Sequence, residues 1–345
     1  MARRVKSGLN VTLKEVAGSL GVSSMTVSRA INNRPNVNEK TRIRVIEQAK
    51  KMGYTPNLVA KSLVSSKTYT IGVIIPEISH AFFPEVVRGI EEATYDRNYQ
   101  LFLANTSENF DREMKAIDSF RSKRVDGIMV SSSQTTLDFT YYKRILQSGL
   151  PLIFFDRCIE GIGASCIGVN DENSSRQITE HLIHHGYKKI AHLCGPRKVS
   201  VGKKRYEGYL KAMQDHQLKV DETWIMESGF KETGGYQAMK KLLELPREKQ
   251  PQAVVAVNDP VAFGAMDAIR EKGLSIPHDL AITGFTNDIR SALISCPLTT
   301  IHQPAYEIGR KAAIKLISTI ENVREPVENI EVLSTLKIRS SCGCL

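Results

Sequence analysis

The stretch Thr12-Leu-Lys-Glu-Val-Ala-Gly-Ser-Leu-Gly21-Val-Ser-Ser-Met-Thr-Val-Ser-Arg29-Ala-Ile-Asn32 reads as two short helices around one turn. Thr12 and Glu15 have capping-box spacing, in which each side chain bonds the other's backbone N–H. Leu13, Val16, Ala17 and Leu20 then recur at i, i+3, i+4, i+7, one apolar face of a helix, and Gly21 supplies the turn. Ser23 suits the N-cap of the second helix, whose Val27, Ala30 and Ile31 form a buried side. The other side of that helix holds Ser24, Met25, Ser28, Arg29 and Asn32, a row without acidic charge. Asn38 to Thr41 opens a third helix, whose Val45, Ile46, Ala49 and Met52 can close a core before Gly53. Two helices around a Gly turn with a third across them match helix-turn-helix geometry, which would lay the polar row in a major groove. There Arg29 can reach guanine or phosphate, Ser24 and Ser28 can reach base edges or phosphates, and Met25 can meet a thymine methyl. A three-helix module that binds protein is the alternative.

Charge bears on that choice. The chain has 345 residues and a net charge of +10, and residues 1–69 hold 13 lysines and arginines against three acidic residues, whereas the remainder holds 34 of each. A small basic segment on a neutral body points to a polyanion for one part and another task for the rest.

The run from Thr12 to Asn32, followed by Val37-Asn-x-x-Thr-Arg42 and Gly53-Tyr-Thr-Pro-Asn57, resembles the N-terminal signature of the LacI/GalR transcriptional regulators. The resemblance implies a homodimer on a roughly palindromic double-stranded operator, with Ser24, Met25 and Arg29 at base-contacting positions. It places Thr12, Ser23, Thr26 and Asn32 at phosphate-holding ones. Residues 56–64 can form a helix too short to hold alone in water. In the family this is the hinge helix, and Leu63 matches the residue wedged between bases in the minor groove, with Lys61 nearby; such wedges kink the duplex. An ordinary linker with one exposed leucine is the other reading. Ser65 to Thr68 reads as a flexible joint.

From Thr70 onward short apolar runs alternate with amphipathic stretches. The runs 70–75, 101–104, 127–130, 151–155, 190–194, 253–257 and 280–283 read as buried parallel strands, and 84–97, 111–124, 174–186, 203–216, 233–245 and 261–273 as the crossover helices. The expected fold is an all-α helix-turn-helix domain followed by a doubly wound α/β core in two lobes. Ligands of such sheets sit beyond the strands' C-terminal ends, which nominates Ser79–Phe83, Asp156-Arg157, Pro196–Arg205, Asn258-Asp259 and Gly284–Asn287.

The core also resembles that family's, which is similar to periplasmic sugar-binding proteins, through Pro76-Glu-Ile-x-x-x-Phe-Phe83, Phe155-Asp-Arg157, Gly195-Pro196, Arg205-x-x-Gly-Tyr209, Val257-Asn-Asp259, Gly284-Phe285 and Leu298-Thr-Thr-Ile-x-Gln-Pro304. Matching positions imply a small-molecule effector, a sugar or sugar derivative. Phe82 and Phe83 would stack on it, Asp156, Arg205 and Asn258 would hydrogen-bond it, and Phe230 would offer a second ring. Thr286 stands where the family commonly has Asp, exchanging a carboxylate for one uncharged contact.

Enzyme signatures fail on spacing. Gly195 and Gly202-Lys203 are too far apart for a P-loop, and no H-E-x-x-H or G-x-S-x-G occurs. No cofactor is implied. His181, His184 and His185 read as cations near a helix end rather than metal ligands. The six cysteines, with no C-x-x-C pair, suggest no disulfide framework and no zinc ribbon, and reduced thiols with no apolar span point to the cytoplasm. The chain thus divides into a DNA-binding domain at 1–55, a hinge and linker at 56–69, and an effector-binding and dimerisation core at 70–340. One lobe is expected at about 70–158 and 291–323, the other at about 159–290 and 324–340. Two function classes remain: an effector-controlled operator-binding regulator, and a small-molecule binding or sugar-processing protein whose N-terminal helices serve assembly.

Overall fold

The computed structural model describes residues 11–55, 67–322 and 324–344. The chain divides into two compact units between Thr68 and Tyr69. In the first, helices α1 (Leu13–Leu20), α2 (Ser24–Ile31) and α3 (Glu39–Lys51) enclose Val16, Ala17, Val27, Ala30, Val45 and Ala49. Thr12 and Glu15 form the reciprocal capping box, and Gly21 makes the turn at φ 65°. Ile46, expected in this core, is instead 48% exposed, because Val45 and Ala49 already take the inward face of α3. Arg42 ties α3 to the end of α2, donating to the carbonyls of Ala30 and Arg34.

The second unit runs β1 (Thr70–Ile75), α4 (Phe82–Tyr95), β2 (Gln100–Asn105), α5 (Phe110–Ser122), β3 (Gly127–Val130), α6 (Thr140–Gln147), β4 (Leu152–Phe155) and β5 (Ser165–Gly168). It continues through α7 (Asp171–His184), β6 (Ile190–Cys194), α8 (Ser200–Asp215), β7 (Ile225–Glu227), α9 (Glu232–Leu243), β8 (Ala253–Ala256), α10 (Asp259–Glu271) and β9 (Ala281–Thr286). It closes with β10 (Thr299–His302), α11 (Ala305–Glu321), β11 (Asn329–Glu331) and β12 (Thr335–Lys337). Two six-stranded sheets result, ordered β11-β5-β4-β3-β1-β2 and β12-β10-β9-β8-β6-β7. All pairings are parallel except β10 with β12. Interior strands are apolar because helices cover both faces. Helices α4 and α11 pack backbone to backbone at Gly89 and Gly309, where an added Cβ would lie about 2 Å from the carbonyls of Tyr306 and Val86.

Several expectations need correction. The segment 165–168 pairs with β4, and 329–331 pairs with it in turn, so both belong to the first lobe; 299–302 pairs with β9 and belongs to the second. The chain therefore crosses between lobes near residues 169–170, 303–304 and 332–334. Strand β2 is an edge rather than a covered strand, with Phe102 and Leu103 exposed. Cys158 and Cys166 form a disulfide, Cα atoms 5.9 Å apart, because Cys166 on β5 lies beside the end of neighbouring β4. Cys194, Cys296, Cys342 and Cys344 are free thiols. Among the described residues no helix is long and apolar enough to cross a membrane.

Candidate operator interface and ligand cleft

Helix α2 buries Val27 and Ala30 and leaves Met25, at 62% exposure, and Arg29 outward, with Ser24 and Ser28 half-buried beside them. The expected phosphate holders guard the helix ends. Ser23 Oγ accepts the Thr26 N–H at 3.1 Å and lies 2.9 Å from its hydroxyl, Thr12 caps α1, and Asn32 Nδ2 donates back to Ser28 O at 2.9 Å. Side chains at helix ends are well placed to fix a protein's register on phosphates. Lys61 and Leu63 lie outside the described residues.

In the second unit a cleft opens where strand ends of both sheets meet, and Phe82, Phe83, Asp156, Arg205, Phe230, Asn258 and Thr286 all line it. Phe82 and Phe83 open α4 with ring centroids 5.1 Å apart, edge to face. Phe230 precedes α9 in the other lobe. Asn258 caps α10 by accepting from Val261 N and donates to Phe230 O, both at 2.9 Å, so it positions the ring while one N–H and one lone pair remain. Thr286 ends β9 at φ 111°, a conformation costly for a β-branched residue.

The family resemblance implies that Arg205 hydrogen-bonds the effector, which needs a guanidinium with donors to spare. Arg205 lies on the second turn of α8, is 4% exposed, and is spent on the scaffold instead. Its Nε donates to Asp171 at 2.7 Å, its Nη1 to Val257 O at 2.7 Å and its Nη2 to Gln303 at 3.4 Å, while the guanidinium lies 3.6 Å over the Phe285 ring. The Asp156 carboxylate accepts from Gln303 Nε2 at 2.8 Å; burial pushes its pKa up to about 6 against the pull of Arg157 and Arg205.

Other residues that line the cleft were nominated only by their strand-end position, as Arg157 and His80 were, or not at all, as Lys231 was. Arg157 is held by Glu108 at 2.8 Å and sits 4.4 Å over Phe230 and 5.9 Å over Phe83. Lys231 also lines the cleft and forms no ion pair among the described residues. His80 bridges the lobes, 3.1 Å from Glu77 on its own side and 3.0 Å from Glu232 on the other. The Glu77 hydrogen bond, with that to Glu232, outweighs burial and raises the histidine to about 9. Glu232 also pairs with Arg290, which pairs with Asp288. Arg157 and Gln303 stood in quoted motifs and His80 in a strand-end span, but Glu108, Asp156 and Glu232, which hold them here, lie far off in sequence.

A basic helix-turn-helix module and a two-lobed binding core with a cleft between its sheets define a ligand-responsive class of DNA-binding regulator. Residues 12–57 match the description "Bacterial regulatory proteins, lacI family", and residues 179–342 match "Periplasmic binding protein-like domain". The HTH-type transcriptional repressor PurR of Histophilus somni is 36% identical over 334 residues, spanning 97% of this chain and 99% of that one. Among solved structures, the lac repressor dimer bound to operator and the anti-inducer ONPF has a TM-score of 0.87 at 25% identity, covering 97% of this chain and 99% of that one. A CelR–cellobiose complex has a TM-score of 0.73 at 27% identity, covering 96% and 100%. The chain belongs to the LacI family of transcriptional regulators and carries its DNA-binding helix-turn-helix domain.

Proposed function

We propose that this chain is a repressor that binds a roughly palindromic operator as a homodimer in the bacterial cytoplasm, with an affinity set by an anionic sugar derivative such as a sugar phosphate or uronate. The role of Ser24, Met25 and Arg29 in reading bases, of the helix-end residues in holding phosphates, and of the seven nominated cleft residues in holding or framing the effector is part of this proposal. One observation carries the effector class: the charge balance of the cleft. Glu77, Glu108 and Asp288 are paired with His80, Arg157 and Arg290, and Asp156 is buried against Gln303 with a raised pKa. Lys231 is left to receive a negative group, beside three aromatic rings and a threonine at 286 that repels no anion. The cellobiose complex of a relative supports a carbohydrate class. A twofold operator matches a twofold protein, and the exposed apolar Phe102, Leu103, Ile289 and Leu293 are surfaces a second copy could cover.

The test pairs a thermal-shift panel of neutral hexoses, hexose phosphates and uronates with operator titration plus and minus each hit. The expected result is stabilisation by an anionic sugar that also changes operator affinity. Tight binding of neutral hexoses with no response to their phosphates or uronates would overturn the effector class. Failure to bind any operator at physiological salt would favour the second class, a sugar-binding or sugar-processing protein.

A further inference from the structure

Away from the cleft, two distant stretches bring two histidines and two cysteines together. His181 lies in the last turn of α7 and His185 caps it four residues on, so both face the same way along the helix. The turn Ser340–Cys342 is followed by Gly343 at φ 89°, which folds Cys344 back beside Cys342. His181 Nε2 is 3.3 Å from both Cys342 Sγ and Cys344 Sγ, and His185 Nε2 is 2.8 Å from Cys344 Sγ. The two sulfurs, both free thiols, stand 2.9 Å apart. Ligand atoms of His181, Cys342 and Cys344 all fall within 4.8 Å of one another.

We propose that His181, His185, Cys342 and Cys344 form a tetrahedral Cys2His2 site for zinc(II), which fastens the 340–344 turn to the end of α7. Zinc–sulfur bonds of about 2.3 Å and zinc–nitrogen bonds of about 2.0 Å put the ligand atoms of a tetrahedron roughly 3.3–3.8 Å apart. The sulfurs at 2.9 Å must open by roughly 0.9 Å around an ion, the His181 contacts at 3.3 Å by less, and His185, in contact with Cys344 but outside the compact group of His181, Cys342 and Cys344, must swing in as the fourth ligand. Thiolate and imidazole together suit zinc rather than calcium or magnesium. Binding converts both thiols to thiolates and releases their two protons to solvent. The supports are those of a built site. Thr299 donates its hydroxyl to Cys342 Sγ at 3.1 Å, and Tyr187 donates to Cys342 O at 3.2 Å. Ser341 accepts from Thr299 N at 2.9 Å and donates to Ile282 O at 2.6 Å. A side chain at position 343 would lie 3.0 Å from the Tyr187 hydroxyl, in a backbone region that disfavours it. Such second contacts orient metal ligands. Cys342 is buried and His185 exposed, so an ion enters from the His185 side. In the sequence, His181 and His185 have the H-x3-H spacing of half a zinc motif, but His181 stands 161 residues before Cys342 and the Cys342-Gly-Cys344 half is tighter than C-x2-C.

The experiment uses the full-length, untagged chain, reduced without thiols, freed of metal and titrated with cobalt(II) and then zinc(II). The expected result is one cobalt per chain, with thiolate charge-transfer absorption and the visible bands of tetrahedral cobalt, displaced by zinc. Zinc should also raise the midpoint of thermal unfolding. Cys344→Ser and His181→Ala should lose the bands and the stabilisation, while Cys296→Ser keeps both. The proposal fails if the parent chain gives no tetrahedral spectrum, or if the double variant Cys342→Ser/Cys344→Ser keeps it. It also fails if Cys342 and Cys344 form a disulfide while zinc is present. An unchanged spectrum and stoichiometry in His185→Ala would overturn the four-ligand assignment.

Discussion

His80 reaches across the cleft to Glu232, its Nε2 3.0 Å from the carboxylate, while its Nδ1 stays 3.1 Å from Glu77. With its pKa raised from 6.5 to about 9, the histidine is protonated at neutral pH and joins the lobes as a cation between two carboxylates. A group with a raised folded pKa contributes stability that is complete below its unfolded value and lost as pH rises through the folded one. The parent chain should therefore exceed His80→Gln in thermal midpoint below pH 6.5, and the difference should shrink as pH passes about 9. Midpoints of both proteins across that range are the measurement. A difference that did not change with pH would remove the charged bridge.

Thr286 sets the second prediction. Its position on the cleft wall and its lack of charge make room for an anion, so Thr286→Asp should weaken binding of the anionic effector by about tenfold or more. That corresponds to roughly 1.4 kcal/mol. Binding of neutral sugars should improve, since a carboxylate accepts paired hydroxyl hydrogens. Titration calorimetry with one sugar and its phosphate checks this; equal affinities in parent and variant would mean residue 286 does not touch the ligand.

Six of the seven nominated cleft residues fall in spans that a topological rule picks out, since apolar runs mark strands and the ends of those strands face one opening, whereas Phe230 came from the resemblance alone. Lobe membership was not legible in the same way. Nothing local in Thr299–His302 says whether it adds to one sheet or the other, and three-residue strands such as Ile225–Glu227, Asn329–Glu331 and Thr335–Lys337 are too short to show a period. Helix α11 was likewise unassigned, although it packs on α4. Side-chain bridges were the least visible: His80 and Glu232 lie 152 residues apart, and their pairing depends on two lobes folding first. Arg205 is among the residues lining the cleft, but its burial against Asp171 depends on a helix 34 positions earlier.

On the DNA side, Arg29→Ala should weaken specific operator binding by roughly 1–3 kcal/mol, since the side chain is exposed on the outer face of α2 and free to reach a base or phosphate. If Arg29 meets phosphate, the salt dependence of binding should become shallower too. Affinity at several salt concentrations, on operator and on random duplex, separates the two contacts. A variant equal to the parent on both would place Arg29 outside the interface.

Leu63→Ala, in a segment outside the described residues, should lower operator affinity and reduce DNA bending together, because an inserted side chain offsets the cost of unstacking by bending the duplex onto more protein. A permutation gel with parent and variant measures the bend. Weaker binding with an unchanged bend would assign Leu63 to contact rather than wedging.

Coupling between cleft and operator is the last expectation, and the burial of Arg205 changes how it is tested. Arg205→Ala would leave Asp171 a buried charge without its partner, and breaking such a pair costs about 3–5 kcal/mol. Lost ligand response in that variant could therefore come from a loosened lobe. Lys231→Met is the cleaner probe, because Lys231 lines the cleft, is exposed and forms no ion pair among the described residues, so its loss leaves no buried charge without a partner. An effector shifts a conformational equilibrium only through its differential affinity for the two states, a coupling typically of about 1–3 kcal/mol. With the Lys231 ammonium gone, the anionic effector should bind poorly, and operator affinities with and without it should converge while affinity in its absence stays near the parent's. Fluorescence anisotropy of labelled operator, at one salt concentration and below the variant's unfolding range, reads all four affinities. If Lys231→Met kept the parent's full response, the effector would bind elsewhere than beside Lys231, and the assignment of this cleft would fall.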